Sequence, residues 1–130
     1  MSPIEATRTM YEHAARGEWS AVAAFMAEDF VIHEPSSLPY GGEWRGRDAL
    51  QHLFAKVMGF WKDPLVEWVD LIGGEEHVTA LLRFSMTVPH TGELIVQRVC
   101  EVTRFNKHGK MAEMRIHYFD TAEMARALAG

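Results

Sequence analysis

Two runs of strand-forming residues joined by a short polar loop occupy the stretch from Glu93 to Asp120. The runs ELIVQRVCEVTRF and MAEMRIHYFD flank the loop NKHGK, a composition typical of an antiparallel hairpin. If the residues on either side of the loop face each other, Glu101 lies opposite Arg115, and His117 lies on the same face. The hairpin is therefore predicted to carry a carboxylate, a guanidinium and an imidazole side by side.

The preceding strand indicates which face of this hairpin is buried. Residues 77–88 alternate, and their apolar members fall on one side: Val78, Ala80, Leu82, Phe84 and Met86. Such alternation is typical of a strand with one buried and one solvated face. If the segment PHTG closes the next turn symmetrically, Ala80 pairs with Glu101. Glu101, Arg115 and His117 are then all predicted to face the interior, a conclusion that a slip of one residue would reverse.

Charged residues that face an apolar interior need partners, because burying an unpaired charge is costly. In one interpretation, Glu101 and Arg115 form a structural ion pair and His117 is a core histidine. In the other, the three side chains line a pocket and act on a ligand. The two strands alone leave both interpretations open.

Composition and charge exclude several classes of function. A chain of 130 residues is long enough to bury a core and is predicted to form one domain, residues 1–130. A net charge of -5 with scattered basic residues argues against nucleic acid as a partner. The apolar runs are too short to cross a bilayer and the first residues lack a signal-peptide pattern, so we expect a cytoplasmic protein with no membrane partner.

Metal ions and cofactors are not expected either. Cys100 is the only cysteine, and the sequence contains no His-Glu-x-x-His motif and no His-x-His pair. Gly41 and Gly42 are not followed by the residues of a phosphate-binding loop. The sequence therefore predicts no metal site and chemistry without a cofactor.

Helical patterns fill the first half of the chain and strand patterns the second. Three helices and one short strand are predicted first, with a loop over residues 36–46, and four strands and a short final helix follow. Their predicted bounds are 3–16, 19–27 and 48–61 for the helices, 30–34 for the short strand, 65–72, 77–88, 93–105 and 111–120 for the later strands, and 121–128 for the last helix. This order predicts an α+β fold with N-terminal helices packed on a curved antiparallel sheet.

Four aromatic residues lie in the 36–46 loop and at the end of the third predicted helix: Tyr40, Trp44, Phe60 and Trp61. They are predicted either to pack on the core or to form the rim of a pocket, since loops held by rigid elements often carry binding residues.

Three stretches of the chain resemble the NTF2-like superfamily, which includes ketosteroid isomerase and the SnoaL-like polyketide cyclases. They are ARGEWSAVAAFMAEDFVIHEP, PYGGEWRGRDAL and CEVTRFNKHGKMAEMRIHYFD, and together they cover most of the sequence. The resemblance implies a cone-shaped, cystatin-like α+β fold. Superfamily members include enzymes, binding proteins and scaffolds, so the fold alone does not give the function.

Two positions match the pattern of the isomerase. Glu34, before Pro35, stands where the isomerase has its general-base aspartate, and Glu101 stands where it has the aspartate of its oxyanion hole. The isomerase's catalytic tyrosine is replaced by Met10. Tyr11 is predicted to point elsewhere, because neighbouring residues on a helix are about 100° apart.

The resemblance and the residues together predict proton transfer in an apolar pocket. Glu34 would remove a carbon-bound proton or activate water, and Glu101, Arg115 and His117 would stabilise the developing oxyanion. A small hydrophobic substrate, with polycyclic and polyketide-like molecules as candidates, would pack against these residues: Met10, Tyr40, Trp44, Phe60, Trp61, Phe84 and Phe119.

The alternative function is a non-catalytic binder of a small hydrophobic ligand, or a dimeric scaffold. The resemblance implies a homodimer through the outer face of the sheet, where superfamily members commonly pair. The residues predicted to lie on that face are Arg98, Cys100, Val102, Met114, Ile116 and Tyr118.

Overall fold

The computed structural model describes residues 1–129, which form four helices and six strands. In chain order they are α1 (Pro3–Ala15), α2 (Trp19–Ala23), β1 (Met26–Glu34), β2 (Gly42–Arg45), α3 (Ala49–Phe60), β3 (Lys62–Gly73), β4 (His77–Thr87), β5 (Leu94–Phe105), β6 (Met111–Tyr118) and α4 (Thr121–Ala129). None of the helices within residues 1–129 is long and apolar enough to cross a membrane.

Helix α1 begins and ends as its sequence predicts. The Ser2 side chain accepts a hydrogen bond from the Glu5 backbone N–H at 3.2 Å, and Pro3 occupies the first turn. The chain leaves the helix at Gly17, whose φ of 70° is accessible to glycine at little cost. Met10, on the side that faces the sheet, is fully buried.

The six strands form one sheet in the order β2-β1-β6-β5-β4-β3, and the predicted α+β class is confirmed. Three features were not predicted. Strand β2 lies inside the segment that was predicted to be a loop, and β1 begins at Met26, where the second helix was predicted to continue. Strand β1 also pairs in parallel with β6, whereas the other neighbours are antiparallel.

The pairing of β4 with β5 follows the predicted register. The Val88 N–H donates to the Glu93 carbonyl at 2.9 Å, and Ala80 lies opposite Glu101. Ala80 is completely buried, so Glu101 lies on the face of the sheet that the helices cover. We call this the inner face.

The predicted pairing of Glu101 with Arg115 is wrong because β6 contains a bulge. Phe105 faces Met111 as expected, but its neighbour Arg104 pairs with Glu113, which leaves Ala112 as an extra residue. Beyond the bulge every partner is displaced by one position, and Ile116 lies opposite Glu101. Since side chains alternate along a strand, one extra residue exchanges the two faces.

Both basic residues of β6 therefore lie on the outer face. Arg115 and His117 are exposed, and they pair with Val102 and Cys100 of β5. The carboxylate that Arg115 contacts is Glu113, with Nε 3.4 Å from Oε1. The structure thus contradicts the predicted positions of Arg115 and His117 beside Glu101.

The same displacement turns three residues inward that were predicted to lie outside. Met114 and Ile116 are buried, and Tyr118 is partly buried, all on the inner face. Helices α1 and α3 cover this face, and α3 contributes Leu53 and Val57 to the core. The hydrophobic core lies between these helices and the sheet.

Candidate functional site

The first carboxyl of the site belongs to Glu34, the last residue of β1. Phe30, Ile32 and Glu34 share the buried face of that strand. Glu34 is only 6% exposed. Its Oε2 accepts a hydrogen bond from the Tyr118 hydroxyl at 3.1 Å, whereas its Oε1 is buried without a partner. A buried carboxyl oxygen without a partner is unusual in a folded protein.

The surroundings of Glu34 favour its protonated form. Burial raises the pKa of this carboxyl to about 8, although the Tyr118 hydrogen bond opposes the shift, and the charge of Glu101 adds to it. Glu34 therefore loses its proton around pH 8, close enough to neutral pH for the group both to accept and to return a proton.

The second carboxyl belongs to Glu101, in the middle of β5. Its Oε1 accepts a hydrogen bond of 2.5 Å from the Tyr11 hydroxyl. Burial raises the pKa of Glu101, and the Tyr11 hydrogen bond opposes this shift. Burial and the neighbouring Glu101 also hold the pKa of Tyr11 well above its usual value, so the phenol stays a donor.

Tyr11 reaches Glu101, contrary to the prediction that it points elsewhere. The ring of Trp68, on β3, packs edge-on against the Tyr11 ring, with centroids 4.7 Å apart and an interplanar angle of 88°. Met10, the neighbour of Tyr11, points instead into the core. The hydroxyl that meets Glu101 thus belongs to Tyr11, one residue further along the chain than the position that the resemblance assigns to a catalytic tyrosine.

The two carboxyls open into an apolar hollow of about 90 Å³, which we call the inner chamber. Its polar side chains are those of Glu34, Glu101 and Tyr118. The rest of its wall comes from α3 and the inner face of the sheet, including Leu53, Val57, Met58, Phe84, Val99 and Ile116. The chamber therefore presents two carboxyls and one phenol to an otherwise apolar space.

A second hollow of about 210 Å³, the outer chamber, adjoins the first. It lies between α1, α3 and β3, and its distinctive wall residues are Tyr11, Ala14, Ala15, Trp19 and Trp68. Both chambers share Leu50, Phe54, Val66, Leu82 and Glu101. Glu101 therefore stands where the two spaces meet.

Of the aromatic residues predicted to bind substrate, only Phe84 lines either chamber. Tyr40 and Trp61 are buried behind the wall, where the Trp61 indole donates to the Tyr40 hydroxyl at 3.1 Å. Burial raises the pKa of Tyr40 to about 12, although the Trp61 hydrogen bond opposes the shift. These residues, together with Met10, support the site without lining it.

The other three predicted binding residues lie further away. The Trp44 indole donates to the Tyr40 carbonyl at 3.0 Å, and the Phe60 ring packs against the Tyr40 ring with centroids 5.7 Å apart. Phe119 is 87% exposed and lies outside both chambers, because the bulge in β6 turns Tyr118 inward in its place. The structure thus does not bring Trp44, Phe60 or Phe119 to the site.

Both chambers lack basic groups. No lysine, arginine or histidine within residues 1–129 lines either of them. In the same part of the chain, no three His, Cys, Asp or Glu side chains lie close enough together to hold a metal ion. The arrangement thus offers acid–base chemistry by carboxyls and phenols, with a proton acceptor and a proton donor on one wall.

Comparison with known families and structures agrees with this architecture. The model of the SnoaL-like domain matches residues 7–114. No curated protein matches the chain at a significant level.

Solved structures share the fold over nearly the whole chain. An NTF2-like protein from Burkholderia thailandensis is 23% identical, with a TM-score of 0.85 and 98% of each chain covered. An NTF2-like protein from Burkholderia pseudomallei is 25% identical, with a TM-score of 0.82 and both chains covered completely. RV0760c from Mycobacterium tuberculosis, in complex with estradiol-17beta-hemisuccinate, is 19% identical, with a TM-score of 0.68, and the match covers 95% of this chain and 98% of that one.

Proposed function

Since the chain belongs to the SnoaL-like domain family of the NTF2-like superfamily, we propose that it is a cofactor-free enzyme that moves protons on a small hydrophobic molecule. The observation that carries this proposal is the pair of carboxyls, Glu34 and Glu101, on the wall of one apolar chamber. The steroid derivative bound by the Mycobacterium tuberculosis protein supports the hydrophobic character of the substrate. The reaction class is isomerase-, cyclase- or lyase-like.

In this proposal Glu34 is the general base. Its unpartnered Oε1 is the oxygen that is free to take a carbon-bound proton or a proton from water, while the Tyr118 hydroxyl holds Oε2. The apolar wall raises the pKa of Glu34, which strengthens the carboxylate as a base. An acceptor of this kind works near neutral pH because its pKa lies close to the working pH.

Glu101 is the matching acid. Burial favours its protonated form, and the Tyr11 hydroxyl holds its Oε1, so the other oxygen can donate to an oxyanion that develops on the substrate. Arg115 and His117 lie on the outer face, so the oxyanion role passes to Glu101 with Tyr11 behind it. The two carboxyls thus take opposite parts in one proton transfer.

The test is a Glu34→Gln variant, assayed after a screen of enones, epoxides and aromatic polyketides has identified a substrate. We expect kcat to fall at least about 100-fold, as for the loss of a general base. Glu113→Gln, on the outer face, is the matched control and should leave kcat unchanged. An unaltered rate in Glu34→Gln would remove Glu34 from the mechanism.

A second candidate function, a non-catalytic binder, is favoured by the apolar character of most of the chamber wall. For a binder the two carboxyls need only be neutral. Titration of the Glu34 and Glu101 carboxyl carbons by NMR separates the candidates, since a catalyst needs at least one of them to change charge near its working pH. If both stay protonated up to pH 9, the binder becomes the better description.

We also propose that two copies pair through the outer face of the sheet. That face carries apolar side chains on three neighbouring strands: Leu65, Ile72, Leu81, Leu94, Val96 and Val102. An exposed apolar sheet face of this kind is commonly an interaction surface. The bulge in β6 replaces Met114, Ile116 and Tyr118, which were predicted to lie there, with Arg115 and His117.

A further inference from the structure

We propose that the inner and outer chambers together hold one elongated, uncharged ligand, with a hydrogen-bonding oxygen between Glu34 and Glu101 and a flat ring against Trp19 and Trp68. This inference rests on the proposed function, because it takes the inner chamber to be the substrate site. It assigns the outer chamber as the part of the site that selects for length and for aromatic character.

The first support is the common wall of the two chambers. Phe54, Val66 and Leu82 line both, and the carboxyl of Glu101 lies where they meet. The inner chamber, at about 90 Å³, is the smaller of the two, and the outer chamber adds about 210 Å³ beside it. A molecule larger than a single ring that places its polar end beside Glu34 must therefore extend toward the outer chamber.

The second support is the exposure of the residues on the outer wall. Trp68 is 47% exposed and Phe54 is 43% exposed, although both lie on the side of their element that faces the chambers. The Trp19 and Phe54 rings pack together with centroids 5.5 Å apart, and Trp68 packs on Tyr11. Aromatic surface left open at the mouth of a chamber is well suited to stacking on a flat apolar ring.

The third support is the set of polar atoms that the ligand would meet. The buried Oε1 of Glu34 lacks a partner, and the remaining polar groups on the inner wall are the carboxyl of Glu101 and the hydroxyl of Tyr118. Neither chamber is lined by a basic side chain within residues 1–129, so a carboxylate on the ligand would enter without a counter-charge.

An ammonium group is also a poor fit to this wall. Its charge could be balanced only if Glu34 or Glu101 ionised, and an ion pair in this apolar wall is costly because both ions must lose their water. A carbonyl oxygen needs only one donor, which the protonated Glu101 carboxyl supplies through the oxygen that Tyr11 leaves free. The chemistry of the wall therefore selects an uncharged head group.

The length of the ligand is tested with acetophenone and 4-acetylbiphenyl, two ketones that differ by one ring. Binding is measured by calorimetry and by NMR titration, without any need for turnover. We expect 4-acetylbiphenyl to bind at least 10-fold more tightly than acetophenone. Equal affinities would overturn the assignment of the outer chamber.

Variants on the two walls locate the added ring. Trp68→Ala and Trp19→Ala should each weaken 4-acetylbiphenyl at least fivefold and change acetophenone less than twofold. Met58→Ala, which alters only the inner wall, should weaken both ketones to the same extent. Thermal unfolding identifies any variant that fails to fold, and the two tryptophan variants lie on different elements, so one of them remains as a test. A folded tryptophan variant that weakens both ketones equally would contradict the proposal.

The charge of the head group is tested with three biphenyls of matched size: 4-acetylbiphenyl, biphenyl-4-carboxylate and 4-biphenylylmethylammonium. At pH 7 the ketone should bind at least 10-fold more tightly than either ion. Tighter binding of either ion would overturn the uncharged head group. These assays measure binding and not turnover. An unchanged rate in Glu34→Gln would therefore contradict only the catalytic role of Glu34, and equal affinities of the three biphenyls would contradict only the uncharged head group.

Discussion

Each of the two carboxyls in the site is paired with one tyrosine, and both lie on the covered inner face of the sheet. Tyr118 donates to Glu34 and Tyr11 donates to Glu101, so one oxygen of each carboxyl is fixed and the other is available. Burial raises the pKa of both acids, and each tyrosine partly offsets this by stabilising the charged form. The phenols therefore control how easily each acid gives up its proton.

Removal of one tyrosine hydroxyl should raise the pKa of its own carboxyl. A hydrogen bond to a charged group contributes about 1.5 to 3 kcal/mol, so the expected rise is about 1 to 2 pH units. Tyr118→Phe should shift Glu34 and Tyr11→Phe should shift Glu101, each with a smaller effect on the other acid. Carboxyl-carbon NMR titration measures both shifts in one sample, and each variant is the control for the other. A lower pKa in either variant would contradict the assigned donors.

The raised pKa of Glu34 should also make stability depend on pH. Below pH 4.5 the carboxyl is protonated in the folded and in the unfolded chain, and between pH 4.5 and about 8 only the unfolded chain releases the proton. The free energy of unfolding should therefore fall as the pH rises through this range. Glu34→Gln lacks the ionisable group and should be more stable than the parent above pH 8, by up to about 5 kcal/mol at about 1.4 kcal/mol per unit.

Urea unfolding at pH 4.5, 6.5 and 8.5 measures this effect, and Glu113→Gln is the control with the opposite sign. Partial burial favours the protonated form of Glu113, but the His33 hydrogen bond and the Arg115 charge together hold its pKa below the usual value. Loss of Glu113 should therefore cost stability at neutral pH and little at low pH. A difference between Glu34→Gln and the parent that stays constant with pH would show that the Glu34 carboxyl is not held neutral.

Among the secondary-structure elements, the bulge in β6 decides which side chains reach the site. If Ala112 paired opposite Arg104 without a bulge, the register of the hairpin would place Arg115 and His117 on the inner face, and Met114, Ile116 and Tyr118 on the outer face. With the bulge, the three larger apolar and aromatic residues pack inside and Tyr118 meets Glu34. A single inserted residue thus supplies one of the two phenols.

Deletion of Ala112 should remove the bulge and leave the two faces of β6 unchanged. Glu113 already pairs with Arg104, so a chain without Ala112 can pair regularly, with Ile116 still opposite Glu101 and Tyr118 still directed to Glu34. We expect the deletion variant to fold, with a loss of no more than about 3 kcal/mol. Ala112→Gly keeps the bulge and should cost less than about 1 kcal/mol. Chemical unfolding measures both variants. A deletion variant in which the pKa of Glu34 rises as in Tyr118→Phe would show that the two faces had exchanged.

The sequence predicts the elements better than it predicts their partners. Alternation in residues 77–88 fixes the inner face of β4 and, through the short PHTG turn, the inward direction of Glu101. The bulge was not predicted, because the register was derived by pairing residues outward from the loop, one from each strand at every step. A signal for it was present in the segment MRIHY, where apolar Met114 and Ile116 alternate with polar Arg115 and His117.

Other features depend on contacts between elements far apart in the sequence. The rotation of α1 that brings Tyr11 to Glu101 is set by packing against the sheet, where Trp68 contacts the Tyr11 ring. Strand β2 forms only by pairing with β1. The parallel pairing of β1 with β6 joins segments that are about 80 residues apart in the sequence. Spacing along one segment carries no information about such contacts.

At the scale of the whole molecule, the sheet separates two surfaces of different use. The inner face is covered by α1 and α3 and holds the chambers, while the outer face is open to solvent. The acids of the site point to the first surface, and the apolar side chains of Leu65, Leu81 and Val102 lie on the second. A second copy could therefore bind to the outer face without closing either chamber.

The outer-face dimer leads to a prediction about mass and activity together. In solution the protein should have twice the 14.8 kDa of one chain, measured by light scattering or sedimentation. Leu81, near the centre of the outer face, pairs with Cys100 and is only partly buried in one chain, so Leu81→Lys should separate the copies and leave the chain folded. Thr91→Lys, in the exposed β4–β5 turn, adds the same charge and should leave the dimer intact.

Ligand binding should not depend on the dimer, because the chambers lie on the opposite face of the sheet. Monomeric Leu81→Lys should therefore bind 4-acetylbiphenyl within about threefold of the parent. A parental protein that is monomeric at 100-micromolar concentration, about 100-fold above a micromolar dissociation constant, would rule out a stable dimer through this face.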